Sequence, residues 1–185
     1  MKYWTLMVGL TVLVLGTSCN IIKPKDGYSD LPKGWKEIVV PLSDFDQAQR
    51  SEITKINGVQ LQQELKKHPK ALVRFVVNYC PANRDLKGFE DYTQENGYRV
   101  FIVMYDFRMP YMIFNQAIVS PVFAIDTPYY NTKNVNKSTK SFINQMLGKE
   151  VDEKIAYESF YVFNSGVYIP EGSKLITEEL NSVQK

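Results

Sequence analysis

Two short apolar runs do most to limit what this chain can fold into: Ala71–Tyr79 (ALVRFVVNY) and Tyr98–Tyr105 (YRVFIVMY). Nearly continuous apolar runs of this length predict strands buried on both faces of a parallel sheet. Between them Leu86, Phe89 and Tyr92 recur at threes across residues 83–96, and Asn96-Gly97 supplies a stop. The segment therefore predicts a strand–helix–strand unit, and its first strand runs into Tyr79-Cys80 and a turn ahead of the helix.

Further elements fit around this unit. Gly58–Lys67 has Leu61 and Leu65 four apart among good helix formers, and Pro69 closes it. Lys36–Leu42 predicts a short strand, with Pro41 suited to a sheet edge, whereas the polar stretch 43–57 has no definite pattern. Val119–Ile125 predicts a strand, and Ser138–Leu147 a helix in which Ser138 caps and Phe142, Ile143, Met146 and Leu147 share a face. Phe160–Asn164 and Gly166–Ile169 predict a hairpin around Asn-Ser-Gly. Ile176, Leu180 and Val183 form one stripe of a final helix over 173–183.

A chain of 185 residues with 44% hydrophobic composition can bury one ordinary core. The net charge of +2, without a Lys/Arg cluster, gives no electrostatic footprint for nucleic acid. The start of the chain is different in kind. Lys2, the apolar stretch Leu6–Leu15 and the small residues Gly16, Thr17 and Ser18 before Cys19 have the layout of a secretory signal. The apolar stretch is about half of the ~20 residues a membrane-spanning helix needs. The small residues before Cys19 resemble a bacterial lipobox, although Gly16 stands where leucine is usual. The resemblance implies a signal peptide over 1–18, lipid on Cys19, and a protein anchored to the membrane of the bacterial cell envelope, with the outer membrane the expected location. The alternative is an ordinary signal peptide cleaved elsewhere. Residues 19–35, rich in Lys, Pro, Gly, Asp and Ser, are expected to be a flexible tether to a domain over 36–185. An exported chain with two cysteines ordinarily suggests a disulfide, but lipid on Cys19 would leave Cys80 without a partner.

Strand–Cys–helix–strand followed by a hairpin and a final helix resembles the thioredoxin-like fold, a three-layer α/β sandwich whose central mixed sheet is flanked by helices. The resemblance covers about Gly58 to Val183. VRFVVNYCPAN is similar to that family's strand and Cys-x-x-Cys motif, with Tyr79 at the aromatic, Cys80 at the nucleophile and Asn83 where the resolving cysteine belongs. Arg74 replaces the buried acid that many members use as proton acceptor. The family's cis-proline has two candidate positions. One threading puts it at Pro121. The other follows the TlpA and peroxiredoxin-like branch, whose members carry an extra strand and helix before the hairpin, and puts it near Tyr157–Ser159, where there is no proline. The second uses the whole chain and is preferred.

Cys80 is the candidate catalytic residue, because a thiol ahead of a helix N-terminus feels unpaired N–H groups and the dipole, with Arg84 able to add to them. Against this, Asn83 cannot resolve a mixed disulfide, and cysteine is common as an inert buried residue. His68 is the only histidine, so neither Cys-His catalysis nor a histidine metal site has its full set. No metal or other cofactor is expected. Asp44 with Asp46 and Glu178 with Glu179 read as solvated pairs, and Tyr92–Tyr111 and Tyr129-Tyr130 as core and rim aromatics that could also line a groove. Two functions follow: a lipid-anchored binding or scaffolding module without dithiol turnover, or a monothiol oxidoreductase or peroxide-reactive protein using Cys80 with an external thiol reductant.

Overall fold

A computed structural model describes residues 25–77, 85–156 and 158–172, with Lys174 and Ile176. Its centre is a seven-stranded sheet in the order β1-β2-β5-β4-β3-β6-β7. The strands are β1 Val39–Pro41, β2 Ile53–Ile56, β3 Lys70–Val76, β4 Arg99–Met104, β5 Val122–Ile125, β6 Phe160–Asn164 and β7 Val167–Ile169. Strands β1 to β5 run parallel, β6 pairs antiparallel with β3, and β7 with β6. The fold is α/β with a mixed sheet and helices on both faces.

The apolar runs are continuous because both faces of their strands are covered. Ala71, Val73, Phe75, Phe101, Val103, Phe123, Tyr161 and Phe163 point to one face, under α2 (Gly58–Leu65), α5 (Val135–Leu147) and α6 (Glu153–Ala156). Leu72, Val76, Ile102, Met104 and Val122 point to the other, against Leu86 and Phe89 of α3 (Leu86–Glu95) and against Ile113 of α4 (Tyr111–Phe114). Ile176 is buried on that second face. Leu180 and Val183 lie outside the described residues.

The helix ends follow their local chemistry. Asn57 and Gln60 close a capping box on α2. The cap of α5 is Asn134, not Ser138, because the Ser138 hydroxyl sits inside the helix and donates to the Val135 carbonyl at 3.0 Å. In the final hairpin Ser165 and Gly166 have φ of 48° and 79°, as a type I′ turn requires.

The expected domain start at residue 36 moves to an earlier position, because residues 25–35 pack on the domain. Phe107 N–H donates to the Asp26 carbonyl at 2.7 Å, Thr127 donates its hydroxyl hydrogen to the Asp26 carboxylate, and Lys25 bridges Asn134. Leu31 is buried, and Trp35, in the short helix α1 (Lys33–Glu37), meets Phe114 edge to face at 5.2 Å. Cys19 and the signal segment lie outside the described residues. Among those described, no helix is long and apolar enough to cross a membrane.

Candidate functional site at the end of β3

Tyr79, Cys80, Asn83 and Arg84 lie outside the described residues; the described residues next to them in the chain are the end of β3 and the start of α3. Strand β3 delivers the chain from the middle of the sheet, between parallel β4 and antiparallel β6. Helix α3 takes it up again at Leu86, six positions after Cys80.

Two N–H groups in the first turn of α3 are taken by protein groups. The Asp85 carboxylate accepts the Gly88 N–H at 2.8 Å, and the Gln116 side-chain oxygen accepts the Leu86 N–H at 2.8 Å. Gln116 is oriented by donating its own amide to the Met112 carbonyl at 3.1 Å. The 115–120 loop that carries it, with the end of α4, is held from two sides. Arg50 donates to the carbonyls of Ile113 at 3.0 Å and Ile118 at 3.2 Å, and its guanidinium lies 4.3 Å from the Phe114 ring centre. Burial lowers the Arg50 pKa, and the nearby Glu90 carboxylate partly offsets this. Glu90, itself buried, accepts the N–H groups of Val119 at 2.9 Å and Ser120 at 2.7 Å.

On the other face of the sheet, the end of β3 carries an aromatic cluster. Phe75 stacks on Tyr105 at 5.0 Å and meets Tyr161 edge-on at 5.5 Å. Burial pushes the Tyr161 phenol well above its usual range, reinforced by Tyr105 and Glu158. The Tyr168 hydroxyl donates to the Glu158 carboxylate at 2.8 Å. Phe75 N–H donates to the Ser159 carbonyl at 2.9 Å, which brings the 158–160 segment beside the end of β3.

Other residues singled out in the sequence fall elsewhere. Arg74 lies on the α3 face, its guanidinium 4.8 Å from the Phe89 ring centre. His68 precedes β3, and its Nε2 sits 2.9 Å from the buried Glu64 carboxylate. Strand β3 has seven residues, which at about 3.3 Å each puts its two ends ~20 Å apart, with His68 at the wrong one. Pro121 leads into β5, which β4 separates from β3. Asp44 and Asp46 are exposed, and Glu178 and Glu179 lie outside the described residues. The Tyr130 hydroxyl accepts the Gly58 N–H at 2.8 Å and bonds to the Gln145 side chain at 2.9 Å, a structural role. Among the described residues no three His, Cys, Asp or Glu side chains gather where they could hold a metal ion.

Sequence reasoning missed Asp85, Glu90, Gln116 and Glu158. Asp85 alone left a signal, an acidic residue just ahead of an apolar helical pattern. The other three act through tertiary contacts. Comparisons with protein-family models, curated proteins and solved structures gave no match to the chain.

Proposed function

We propose that the chain is a lipid-anchored protein of the bacterial cell envelope whose domain is a thioredoxin-like module of the TlpA and peroxiredoxin-like branch, working as a binding or scaffolding component without dithiol turnover. The sheet order supports the fold assignment. The cysteine strand is central, an antiparallel hairpin lies on one side of it, and an extra strand and helix, β5 and α5, precede that hairpin. In this threading Ser159 stands where the cis-proline segment would lie.

The observation that carries the loss of turnover is that two first-turn N–H groups of α3 already have protein partners. A low thiol pKa at a helix start depends on N–H groups that still need a partner. Here the N–H groups of Leu86 and Gly88 are taken by Gln116 and Asp85. The Asp85 carboxylate also draws on the helix dipole that a thiolate would need. With Asn83 in the second motif position, any mixed disulfide on Cys80 must wait for an outside thiol. The test is an insulin-reduction assay with excess dithiothreitol: the rate should equal that of dithiothreitol alone. Catalysed multiple turnovers that vanish in Cys80→Ser would overturn the proposal and make the protein a monothiol oxidoreductase.

A further inference from the structure

One end of the domain has a surface that packing and the site leave unexplained. Among the described residues, Tyr28, Met109, Tyr111 and Tyr129 are large apolar or aromatic side chains between 39% and 50% exposed, and all lie at the C-terminal end of the parallel strands. Met109 and Tyr111 follow β4, Tyr129 follows β5, and the Tyr28 ring packs on Phe107 at 5.2 Å. Two grooves lie along the 25–31 segment. A mainly apolar groove of about 500 Å³ is formed by Leu31, Trp35, Phe107, Met109 and Tyr111 among others, with Asp30 and Arg108 also in its lining. A polar groove of about 530 Å³ includes Lys25, Thr127, Asn131 and Lys133, with both lysines exposed.

We propose that this end of the domain seats on the lipid bilayer that holds Cys19, with the apolar groove and the tyrosines at headgroup depth. The inference rests on the lipoprotein reading given above, and chain length carries it. Only five residues lie between Cys19 and Lys25, six steps along the chain, and Lys25 already pairs with Asn134. Fully extended, six steps span at most about 20 Å. A domain of ~150 residues has a radius of gyration of about 15 Å and is therefore roughly 40 Å across. The tether is too short for the domain to turn this end away from the membrane. The end it presents has the chemistry of an interface: tyrosines with apolar bodies and polar tips, an apolar groove, and flanking lysines. Strands β3, β4 and β5 finish at this same end.

Trp35 makes the proposal measurable. The chain has two tryptophans, and removal of residues 1–18 takes Trp4 with them. The purified lipidated protein is bound to vesicles of phosphatidylethanolamine and phosphatidylglycerol, with and without acyl chains brominated near the headgroup. Interfacial groups enter about 5–10 Å, so Trp35 emission should fall roughly twofold in the brominated vesicles. Met109→Ser with Tyr111→Ser should abolish most of that quenching while the protein still floats with the vesicles. Both side chains are 41% exposed, so the variant should keep its thermal transition, and Tyr129→Ser serves as a second, independent test at 50% exposure. A lipidated protein that floats while Trp35 stays unquenched overturns the seating and leaves the anchor intact; that face would then belong to a protein partner. Quenching unchanged in both variants overturns the role of the groove and the tyrosines. An N-terminal peptide without lipid, and a protein that does not float, overturn the anchor and the seating together.

Discussion

Replacing Gly58 by alanine sets two known effects against each other. Within an ordinary helix Gly→Ala stabilises by up to about 1 kcal/mol. At Gly58 the new Cβ would lie 2.2 Å from the Phe142 carbonyl oxygen, 2.8 Å from Gln145 Cβ and 3.0 Å from the Met146 nitrogen. All three atoms belong to α5, whose Phe142, Ile143 and Met146 are sealed in the core at 0–1% exposure. Because the nearest atom is backbone, relief requires α2 and α5 to separate. Overpacking of this kind costs about 1–3 kcal/mol. Separation would also stretch the Gly58 N–H bond to Tyr130, and a net hydrogen bond contributes about 1 kcal/mol. The clash wins, and Gly58→Ala should destabilise by about 1–3 kcal/mol, lowering Tm by roughly 2–10 °C for a domain of this size. Urea and thermal unfolding followed by circular dichroism measure it, with the exposed neighbour Val59→Ala as a control expected within about 0.5 kcal/mol of the parent. A Gly58→Ala protein as stable as the parent, or more so, would refute the close packing of α2 on α5.

Two further outcomes follow from buried carboxylates. Burial favours the neutral form of Glu64, but its bonds to Lys67 at 2.6 Å and His68 at 2.9 Å outweigh this and lower its pKa on folding. Glu64 therefore contributes stability in full above the unfolded value of about 4.3, and the contribution is lost as pH falls through the lower folded pKa; unfolding between pH 7 and 3 should show a drop that Glu64→Gln reduces. Glu90→Gln removes the charge that holds the N–H groups of Val119 and Ser120 and should cost on the order of 2 kcal/mol, with faster hydrogen exchange across residues 113–120.

Much of the architecture was legible because its signals are local. Strands β3 and β4 and the last hairpin declare themselves by apolar runs and by Asn-Ser-Gly, and Phe75 and Phe101 are core residues as those runs predict. Strand β2 was not legible: Ile-Thr-Lys-Ile has only two apolar residues, and its place between β1 and β5 depends on long-range pairing, with Lys55 meeting Asp126 at 3.3 Å. The 25–35 segment has the composition of a linker, yet Leu31 and Trp35 join the core and Asp26 bonds to Phe107 and Thr127. At the candidate site, a cysteine ahead of a helix suggests an activated thiol. What argues against activation is Gln116, thirty residues downstream of the N–H it caps, and no local pattern shows such a contact.

In the proposed reading the α3 terminus, whose Leu86 and Gly88 N–H groups already have partners, does not activate Cys80. The most direct test is the pH dependence of iodoacetamide labelling of Cys80 in the full lipidated protein, read by mass spectrometry of the Cys80 peptide. The account predicts a single ionisation at about 8.5 or above and a rate no faster than that of a model thiol. A pKa below about 7, with labelling faster than a model thiol at neutral pH, would contradict it and show an activated nucleophile.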